Sequence, residues 1–378
     1  MTQDASSAKP ATEHSMSAGL MAHLAKHNLS IAFTSYQSGI LYMLGRTAQG
    51  GAHLHQSAVP KPMGLCLRDG VLALTSAAQV MLYQDVLAPE EYINNTFDAC
   101  YMPRRVHITG TLDAHDVGLT KDDAPVFVNT RFNALATVDP RHSFRTLWTP
   151  PFIDRIVDED RCHLNGLAMD DDGPAYVTAV SKSNTIDGWR DRRADGGVVI
   201  DVRTNEIVCE GLSMPHSPRL HKGELWLLNS GTGELGVVAN LGKKNAQFKS
   251  RVFCPGFLRG LRFHGNFAVV GLSKPRHKRF EGLALDEKLS ASDSEPWCGI
   301  QIIDLSKGSC TDWFRIDGAV TELYDIEVLP NVVCPMAVSP GSPDMNALIT
   351  YQERSAVAAP HEPQDDAATQ VHAPSAAP

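Results

Sequence analysis

Three histidines occupy the same place in a repeated five-residue segment. The six copies are KPMGL from Lys61, HDVGL from His115, HLNGL from His163, HSPRL from His216, FLRGL from Phe257 and YDIEV from Tyr324, at spacings of 54, 48, 53, 41 and 67 residues. A repeat near fifty residues with strand-like sequence in each unit is typical of a β-propeller. Equivalent positions on successive blades face a central channel. We therefore expect the three histidines to converge there.

Three imidazoles on one side of a channel leave coordination positions open for water and substrate. That arrangement suits a catalytic zinc or iron ion, so His115, His163 and His216 are the predicted metal ligands. Asp116 and Asp325 are placed to orient an imidazole N–H or to bind the metal directly. The alternative is that these histidines bond only to water and backbone.

A second metal site is predicted from oxygen ligands in the same segments. Asn165, Glu327 and Asp116 offer amide and carboxylate oxygens, which suit calcium or magnesium. This site is the alternative to the three-histidine centre.

Four further residues are candidates for catalysis. Tyr324 and Asp325 are predicted to move protons, Tyr324 provided that nearby positive charge lowers its pKa. Arg219 and Arg259 are predicted to anchor a substrate carboxylate. The alternatives are that Tyr324 only lines the channel and that the arginines pair with Glu327 or Asp116 to fill it.

The elements that must position these residues are short strands separated by turns. Each repeat unit carries about four, which predicts an all-β, six-bladed propeller. We expect one domain over residues 18–345, with insertions near 83–106 and 274–297 and with strands at 30–44 closing the ring. A short amphipathic helix is expected between Met16 and His27. Residues 1–17 and 353–378 are expected to be disordered because no core pattern remains there.

Composition narrows the class of partner. The 378 residues carry a net charge of −9, which predicts no nucleic-acid partner and no anionic membrane surface. The basic run at 274–279 is short and lacks interleaved aromatics, so we expect a solvated loop or an anion-gripping lid. The eight cysteines form no close pair and are expected to be reduced, and with no apolar leader at residues 1–17 we expect a cytoplasmic protein.

The segment HLNGLAMDDDG at residues 163–173 resembles the strand and turn of the gluconolactonase and regucalcin family of six-bladed propellers. This resemblance implies that Asn165 binds a divalent metal. The histidine column resembles the arrangement in peptidyl-hydroxyglycine amidating lyase, which implies a zinc held by three histidines and assisted by Tyr324 and an arginine. Residues 30–340 also resemble a bacterial family of conserved hypothetical propeller-like proteins, through segments such as Cys162–Ala168 and Leu323–Pro330.

The combined prediction is a metal-dependent lyase or hydrolase that acts on a small polar or peptide-like substrate in the channel. Three alternatives stay open. They are a non-catalytic propeller that binds a protein partner, a calcium- or magnesium-dependent lactonase-like hydrolase, and a three-histidine iron oxygenase.

Overall fold

The computed structural model describes residues 12–276 and 280–351. Their strands and α-helices are, in chain order, β1 Glu13–Met16, α1 Leu20–His27, β2 Leu29–Ser35, β3 Ile40–Arg46, β4 Ala52–Ala58, β5 Leu65–Arg68, β6 Val71–Thr75, β7 Gln79–Asp85, β8 Ala99–Ile108, β9 Ala114–Leu119, β10 Pro125–Asn129, β11 Ala134–Thr137, β12 Arg145–Trp148, β13 Leu164–Asp170, β14 Gly173–Ala179, β15 Gly197–Asp201, β16 Ile207–Leu212, β17 Pro215–His221, β18 Glu224–Asn229, β19 Glu234–Ala239, β20 Gln247–Phe253, β21 Phe257–His264, β22 Phe267–Ser273, α2 Leu285–Ala291, β23 Cys298–Asp304, β24 Ser309–Asp317, β25 Ile326–Pro330, β26 Pro335–Ala337 and α3 Asp344–Ala347. Short 3-10 helices occupy Thr130–Phe132, Arg190–Arg192 and Ser230–Thr232.

The strands form six sheets arranged as the blades of a propeller. Four blades have four strands and two have five, and consecutive strands within a blade pair antiparallel. The innermost strands are β5, β9, β13, β17, β21 and β25, and each packs against the next around the channel. Apolar side chains fill the space between neighbouring sheets, as Phe33, Leu44 and Ile326 do beside Ile300. The predicted six-bladed, all-β propeller is confirmed.

The ring closes by pairing of distant segments. The inner strand β25 pairs with β2, so that Ile326 lies opposite Phe33 and Val328 opposite Ile31. The last inner strand of the propeller thereby joins the first strands of its body in one blade. Closure of this kind leaves fewer unpaired strand edges. The predicted role of the strands at 30–44 is confirmed.

The prediction of disorder over residues 1–17 is wrong where the structure describes them. Glu13–Met16 form β1, which pairs with β24 and adds a fifth strand to that blade. The edge of β24 supplies backbone partners that the sequence of β1 does not reveal by itself. Helix α1 follows at Leu20, with Leu20 and Leu24 buried. Residues 1–11 and the predicted disordered tail at 353–378 lie outside the described residues.

The two predicted insertions differ in character. Segment 83–106 contains the end of β7 and most of β8, which pair over Gln79–Asp85 and Ala99–Ile108, and the connecting residues 86–98 form a loop without a helix. The sequence suggested a loop because the β7–β8 connection is long and polar. The segment 274–297 is an insertion that carries α2, and residues 277–279 within it lie outside the described residues.

The glycines at the fourth position of the repeated segment lie where neighbouring inner strands touch. A Cβ on Gly64 would lie 2.9 Å from Cα of Asp116, and one on Gly260 would lie 2.7 Å from the backbone nitrogen of Ile326. Gly260 also has a φ of +78°, which side-chain-bearing residues rarely adopt. The glycine column therefore allows the close approach of adjacent blades.

Buried hydroxyl groups at the ends of second strands tie five of the six blades to the next inner strand. In five blades this hydroxyl donates to a backbone carbonyl of the neighbour: Thr34 to Met63 at 2.7 Å, Thr75 to Ala114 at 2.7 Å, Thr130 to Leu164 at 2.6 Å, Ser230 to Leu258 at 2.7 Å and Ser273 to Leu323 at 3.2 Å. These bonds fix the starts of the inner strands, where the histidine column lies. Within the described part of the chain, no helix is long and apolar enough to cross a bilayer.

Candidate functional site

The predicted histidine column lies at one mouth of the channel, together with an arginine and a tyrosine. We call His115, His163, His216, Arg259 and Tyr324 the mouth ring. The imidazoles of His115 and His163 are 4.9 Å apart between centroids, and His115 is 5.6 Å from the Tyr324 ring. The guanidinium carbon of Arg259 lies 5.0 Å from the centroid of the Tyr324 ring. The fifth member, His216, stands beside Phe257, with the ring centroids 5.5 Å apart.

All three histidines are held through the same ring nitrogen. Nδ1 of His115 lies 2.7 Å from the carbonyl oxygen of Asp113, and Nδ1 of His216 lies 2.8 Å from that of Met214. Nδ1 of His163 lies 2.6 Å from a carboxylate oxygen of Asp160. Because each partner is an acceptor, each Nδ1 carries a proton, and in the imidazoles of His115 and His216 this leaves Nε2 as the acceptor when the ring is neutral.

The three histidines share one feature with metal-binding histidines. Anchoring of Nδ1 with a free Nε2 is the arrangement that metal-binding histidines adopt. However, the described residues contain no group of three or more His, Cys, Asp or Glu side chains placed to hold a metal ion. The mouth ring as it stands therefore does not fit a three-histidine metal site, and His115, His163 and His216 remain predicted ligands only.

Arg259 connects the mouth ring to a buried carboxylate. Arg259 forms an ion pair with Glu322, which also accepts a hydrogen bond of 2.8 Å from the hydroxyl of Tyr36. Arg276 donates to both carboxylate oxygens of Glu322, at 2.9 and 3.2 Å. Burial alone would raise the pKa of Glu322, but the two arginines and Tyr36 lower it overall. Glu322 is therefore a fixed negative charge that orients Arg259.

A second polar cluster fills the channel below the mouth ring. Arg219 donates to both carboxylate oxygens of Asp116, at 2.8 and 3.1 Å, and its Nη1 also reaches the carbonyl of Leu167. Arg262 donates to Glu327 at 2.7 Å. Of the two roles predicted for Arg219, anchoring a substrate or filling the channel, the observed contacts are those of the second.

The carboxylates of this cluster also confirm the register of the repeat. Asp116 accepts the backbone N–H of Leu167 on the next blade at 2.9 Å, and Asp325 accepts that of Leu65 on its next blade at 2.9 Å. Both carboxylates belong to position two of a segment, and both donors to position five. The 67-residue fifth interval therefore contains no slip. Burial raises the pKa of Asp325 to about 6, against the opposing effect of Arg262.

The residues of the alternative metal site are not brought together. Asn165 lies on β13 and Glu327 on β25, which are on opposite sides of the ring. The side-chain oxygen of Asn165 accepts from Thr178 at 2.7 Å, and Glu327 is paired with Arg262. Asp116 is paired with Arg219. The calcium or magnesium site remains a prediction without support from this geometry.

The surroundings of the mouth ring shift the pKa values of its histidines and of its tyrosine in opposite directions. Burial lowers the pKa of His115 and of His216 well below the ordinary histidine value, and the neighbouring His163 and Arg259 respectively add to the effect. Burial raises the pKa of Tyr324 well above the ordinary tyrosine value, although Arg259 opposes the rise. The predicted lowering of the Tyr324 pKa by positive charge does not occur, because burial outweighs it. At neutral pH the two histidines are neutral and Tyr324 is protonated.

Three polar atoms of the mouth ring are buried without a hydrogen-bond partner among the described residues. They are Nε2 of His216, the hydroxyl of Tyr324 and Nε of Arg259. A buried polar group without a partner costs about 1–3 kcal/mol. Groups of this kind concentrated at one place favour a site that a ligand completes.

A pocket of about 440 Å³ opens beside the mouth ring. It lies between the β14–β15 connection, which supplies Trp189, and the β22–β23 connection, which supplies Arg276. Phe257 and Arg259 also line it. Trp189 stacks on His163 with centroids 4.1 Å apart, so the pocket wall touches the mouth ring directly.

Sequence reasoning missed several residues of this site. Glu322 stands only two positions before Tyr324, so its signal in the sequence was a carboxylate next to the histidine column. Arg276 lies in the basic run at 274–279, so its signal was the predicted anion-gripping lid. Trp189 and Arg262 carried no signal of this kind, because their roles depend on loop path and on contacts between blades.

The backbone at the mouth is held in an uncommon conformation. His163 has a φ of +52°, and Asp113 and Met214, which anchor the other two histidines, have φ values of +48° and +49°. Residues other than glycine seldom adopt this left-handed region, and such outliers cluster at functional sites.

The closed ring of six four- or five-stranded sheets, with its polar mouth, defines a β-propeller with a site at one end of the channel. The chain belongs to the family described as Domain of unknown function (DUF4915), whose model matches residues 18–338. A search of curated proteins found no match.

Several solved structures are similar to this chain. A nidogen/laminin complex matches with a TM-score of 0.48 and 12% identity over 80% of this chain and 99% of the other. Virginiamycin B lyase from Staphylococcus aureus matches with a TM-score of 0.40 and 12% identity over 76% of each chain. A candidate gluconolactonase matches with a TM-score of 0.40 and 10% identity over 69% of this chain and 89% of the other. At these values the likenesses decide nothing about function, and the fold rests on the strand pairing.

Proposed function

We propose that this protein is a hydrolase or lyase that performs proton transfer at the mouth ring on a small, carboxylate-bearing substrate. One observation carries the proposal: His216 and Tyr324 are buried with Nε2 and the hydroxyl unpartnered. A neutral acceptor and a protonated donor at the same mouth of the channel are suited to act as an acid–base pair, since their surroundings push their pKa values apart.

Each residue then has a defined role. In a hydrolysis, Nε2 of His216 accepts a proton from water while the water oxygen bonds to the substrate carbonyl carbon. The hydroxyl of Tyr324 gives its proton to the leaving oxygen as that bond breaks. In an elimination, Nε2 takes a proton from the carbon beside the carbonyl, its electron pair forms the double bond, and the leaving group receives the proton of Tyr324.

Arg259 is the proposed anchor for the substrate carboxylate. Its guanidinium is fixed by Glu322 and keeps Nε unpartnered. His115 and His163 complete the polar wall, with their Nδ1 atoms anchored to the carbonyl of Asp113 and to the carboxylate of Asp160. No step above is routed through a metal, because the three imidazoles are not placed to hold one.

The test is a turnover screen of the full chain. Carboxylate-bearing lactones, aryl esters, short peptides and 3-hydroxy acids are incubated with the protein and followed by proton NMR, with chelator or with added zinc, iron, manganese, calcium or magnesium. We expect hydrolysis or elimination in one class, with a loss of about 10²–10⁴-fold in His216→Gln. His221→Gln is the matched control, because His221 ends the same strand away from the mouth ring. Turnover that survives in His216→Gln would contradict the assignment.

The filled channel favours a second candidate, a propeller that binds a partner without catalysis. Arg219, Asp116, Arg262 and Glu327 close the channel below the mouth, as a structural channel would be closed. This candidate predicts no turnover for any member of the panel, with or without metal. Turnover dependent on His216 excludes it.

A further inference from the structure

The pocket beside the mouth ring carries donors that nothing in the described protein satisfies. Trp189 and Arg259 both line this pocket and are each only 7% exposed, and Nε1 of Trp189 and Nε of Arg259 are buried without a hydrogen-bond partner among the described residues. Burying an N–H without an acceptor is unfavourable unless a ligand supplies one. The two donors therefore call for an acceptor group in the pocket.

The charge of the pocket selects an anion. Five cationic side chains line it, those of Arg190, Arg193, Arg259, Lys274 and Arg276, against the two carboxylates of Glu281 and Glu322, while Asp187 and Asp317 outside the lining pair with Arg190 and Lys274. The protein as a whole is acidic, with a net charge of −9, so this surplus is local. A carboxylate accepts two N–H bonds at once, which suits a pair of donors of which one is a guanidinium.

The walls of the pocket select a flat, apolar body behind the anion. Trp189 lies flat against His163, and Phe257 and Phe280 stack with an interplanar angle of 22°. Met214 and Leu283 complete the apolar lining. Aromatic faces of this kind pack best against planar groups. A volume of about 440 Å³ limits the occupant to a small molecule.

We propose that the pocket binds a small aromatic carboxylate, with its carboxylate on Trp189 Nε1 and Arg259 and its ring against Phe257 and Phe280. The inference rests on the proposed function, because it names the substrate class of that site. It adds Trp189 as a residue that determines specificity.

Calorimetric titration of the full chain tests the inference, with phenylacetate as the probe. Acetate, benzyl alcohol, phenyl phosphate and inorganic phosphate are the comparison ligands. We expect phenylacetate to bind at least tenfold more tightly than acetate and than benzyl alcohol, since each of these lacks one half of the recognised group. Equal binding of benzyl alcohol, equal or tighter binding of phenyl phosphate or inorganic phosphate, or no binding of phenylacetate would overturn the inference.

The tryptophan donor is tested with matched variants. Trp189→Phe keeps an aromatic wall and removes Nε1, and we expect phenylacetate to bind about tenfold more weakly. Trp226→Phe is the control, because Trp226 is also buried with Nε1 unpartnered but lies outside this pocket. Unchanged binding in folded Trp189→Phe would contradict the assignment. Should that variant fail to fold, Arg193→Gln on the exposed rim must weaken binding several-fold, and an unchanged affinity there would count equally against it.

The same titrations separate this inference from the proposed function. His216→Gln should abolish turnover while leaving the affinity for phenylacetate within about twofold, because His216 does not line the pocket. Binding by the wild type without turnover of any substrate would refute the enzyme and leave the ligand class standing. Turnover of substrates without an aromatic carboxylate, together with no phenylacetate binding, would overturn the proposed ligand class and leave the proposed enzyme standing.

Discussion

At the scale of single residues, the environment of a histidine decides what it can do more than its identity does. His115 and His216 each direct Nδ1 at a carbonyl two residues earlier in the chain, which fixes the tautomer. Their alignment could be predicted from the sequence, since the repeat places both at position one. Their lack of a shared metal geometry could not, because it depends on distances between blades.

The buried histidines make stability depend on pH. An unfolded histidine binds a proton near pH 6.5, whereas His216 in the folded protein binds one only at lower pH, because burial and Arg259 lower its pKa. Between these two values the unfolded state holds more protons, so the free energy of unfolding falls as pH falls below about 6.5. One such group contributes at most about 1.4 kcal/mol per pH unit.

Urea unfolding of wild type and His216→Gln at pH 7.5 and pH 5.5 measures this contribution. We expect the free energy of unfolding to fall less in His216→Gln than in the wild type over that interval, because the variant has no proton to bind. An equal or larger fall in the variant would show that His216 is not buried in its neutral form.

At the scale of elements, bonds between blades position the site as much as the strands themselves. The hydroxyl of Thr75 donates to the carbonyl of Ala114 and accepts the N–H of Gly64 at 2.8 Å. It thereby fixes the residue that precedes His115. The strands could be predicted from alternating apolar residues and turns, but these hydroxyl links could not, since each joins residues that are about 30 to 50 positions apart.

Replacement of Thr75 by Val tests the links between blades. The substitution keeps the shape and leaves two buried backbone groups without a partner, which should lower the free energy of unfolding by about 1–3 kcal/mol. Thr111→Val, at an exposed position, is the matched control and should change it by about 0.5 kcal/mol or less. Denaturant unfolding decides the matter, and similar values for the two variants would refute the role of Thr75.

At the scale of the whole molecule, ion pairs inside the channel hold distant blades together. Arg219 on β17 reaches across β13 to Asp116 on β9, and Arg262 on β21 reaches Glu327 on β25. The propeller and its number of blades could be predicted from the repeat. The division of channel residues into a mouth that faces the pocket and a filled interior could not, because Arg219 and Arg259 look alike in sequence.

Removing one partner of the channel pair should destabilise the whole ring. Arg219→Met leaves Asp116 buried and unpaired, which costs about 3–5 kcal/mol. Arg203→Met breaks the more exposed pair with Asp170, where the arginine is 47% exposed, and should cost about 1 kcal/mol or less. Urea unfolding of both variants and of the wild type measures the two losses in free energy of unfolding. Equal small losses would mean that the channel pair is as weak as a surface pair.

The central claim is that the mouth of the channel holds a neutral histidine whose Nε2 is free to accept a proton. Nitrogen NMR of ¹⁵N-histidine-labelled full-length protein at pH 7 tests it without a substrate, and His216→Gln assigns the signal. We expect a neutral imidazole protonated on Nδ1. A charged imidazole, or one protonated on Nε2, would contradict it.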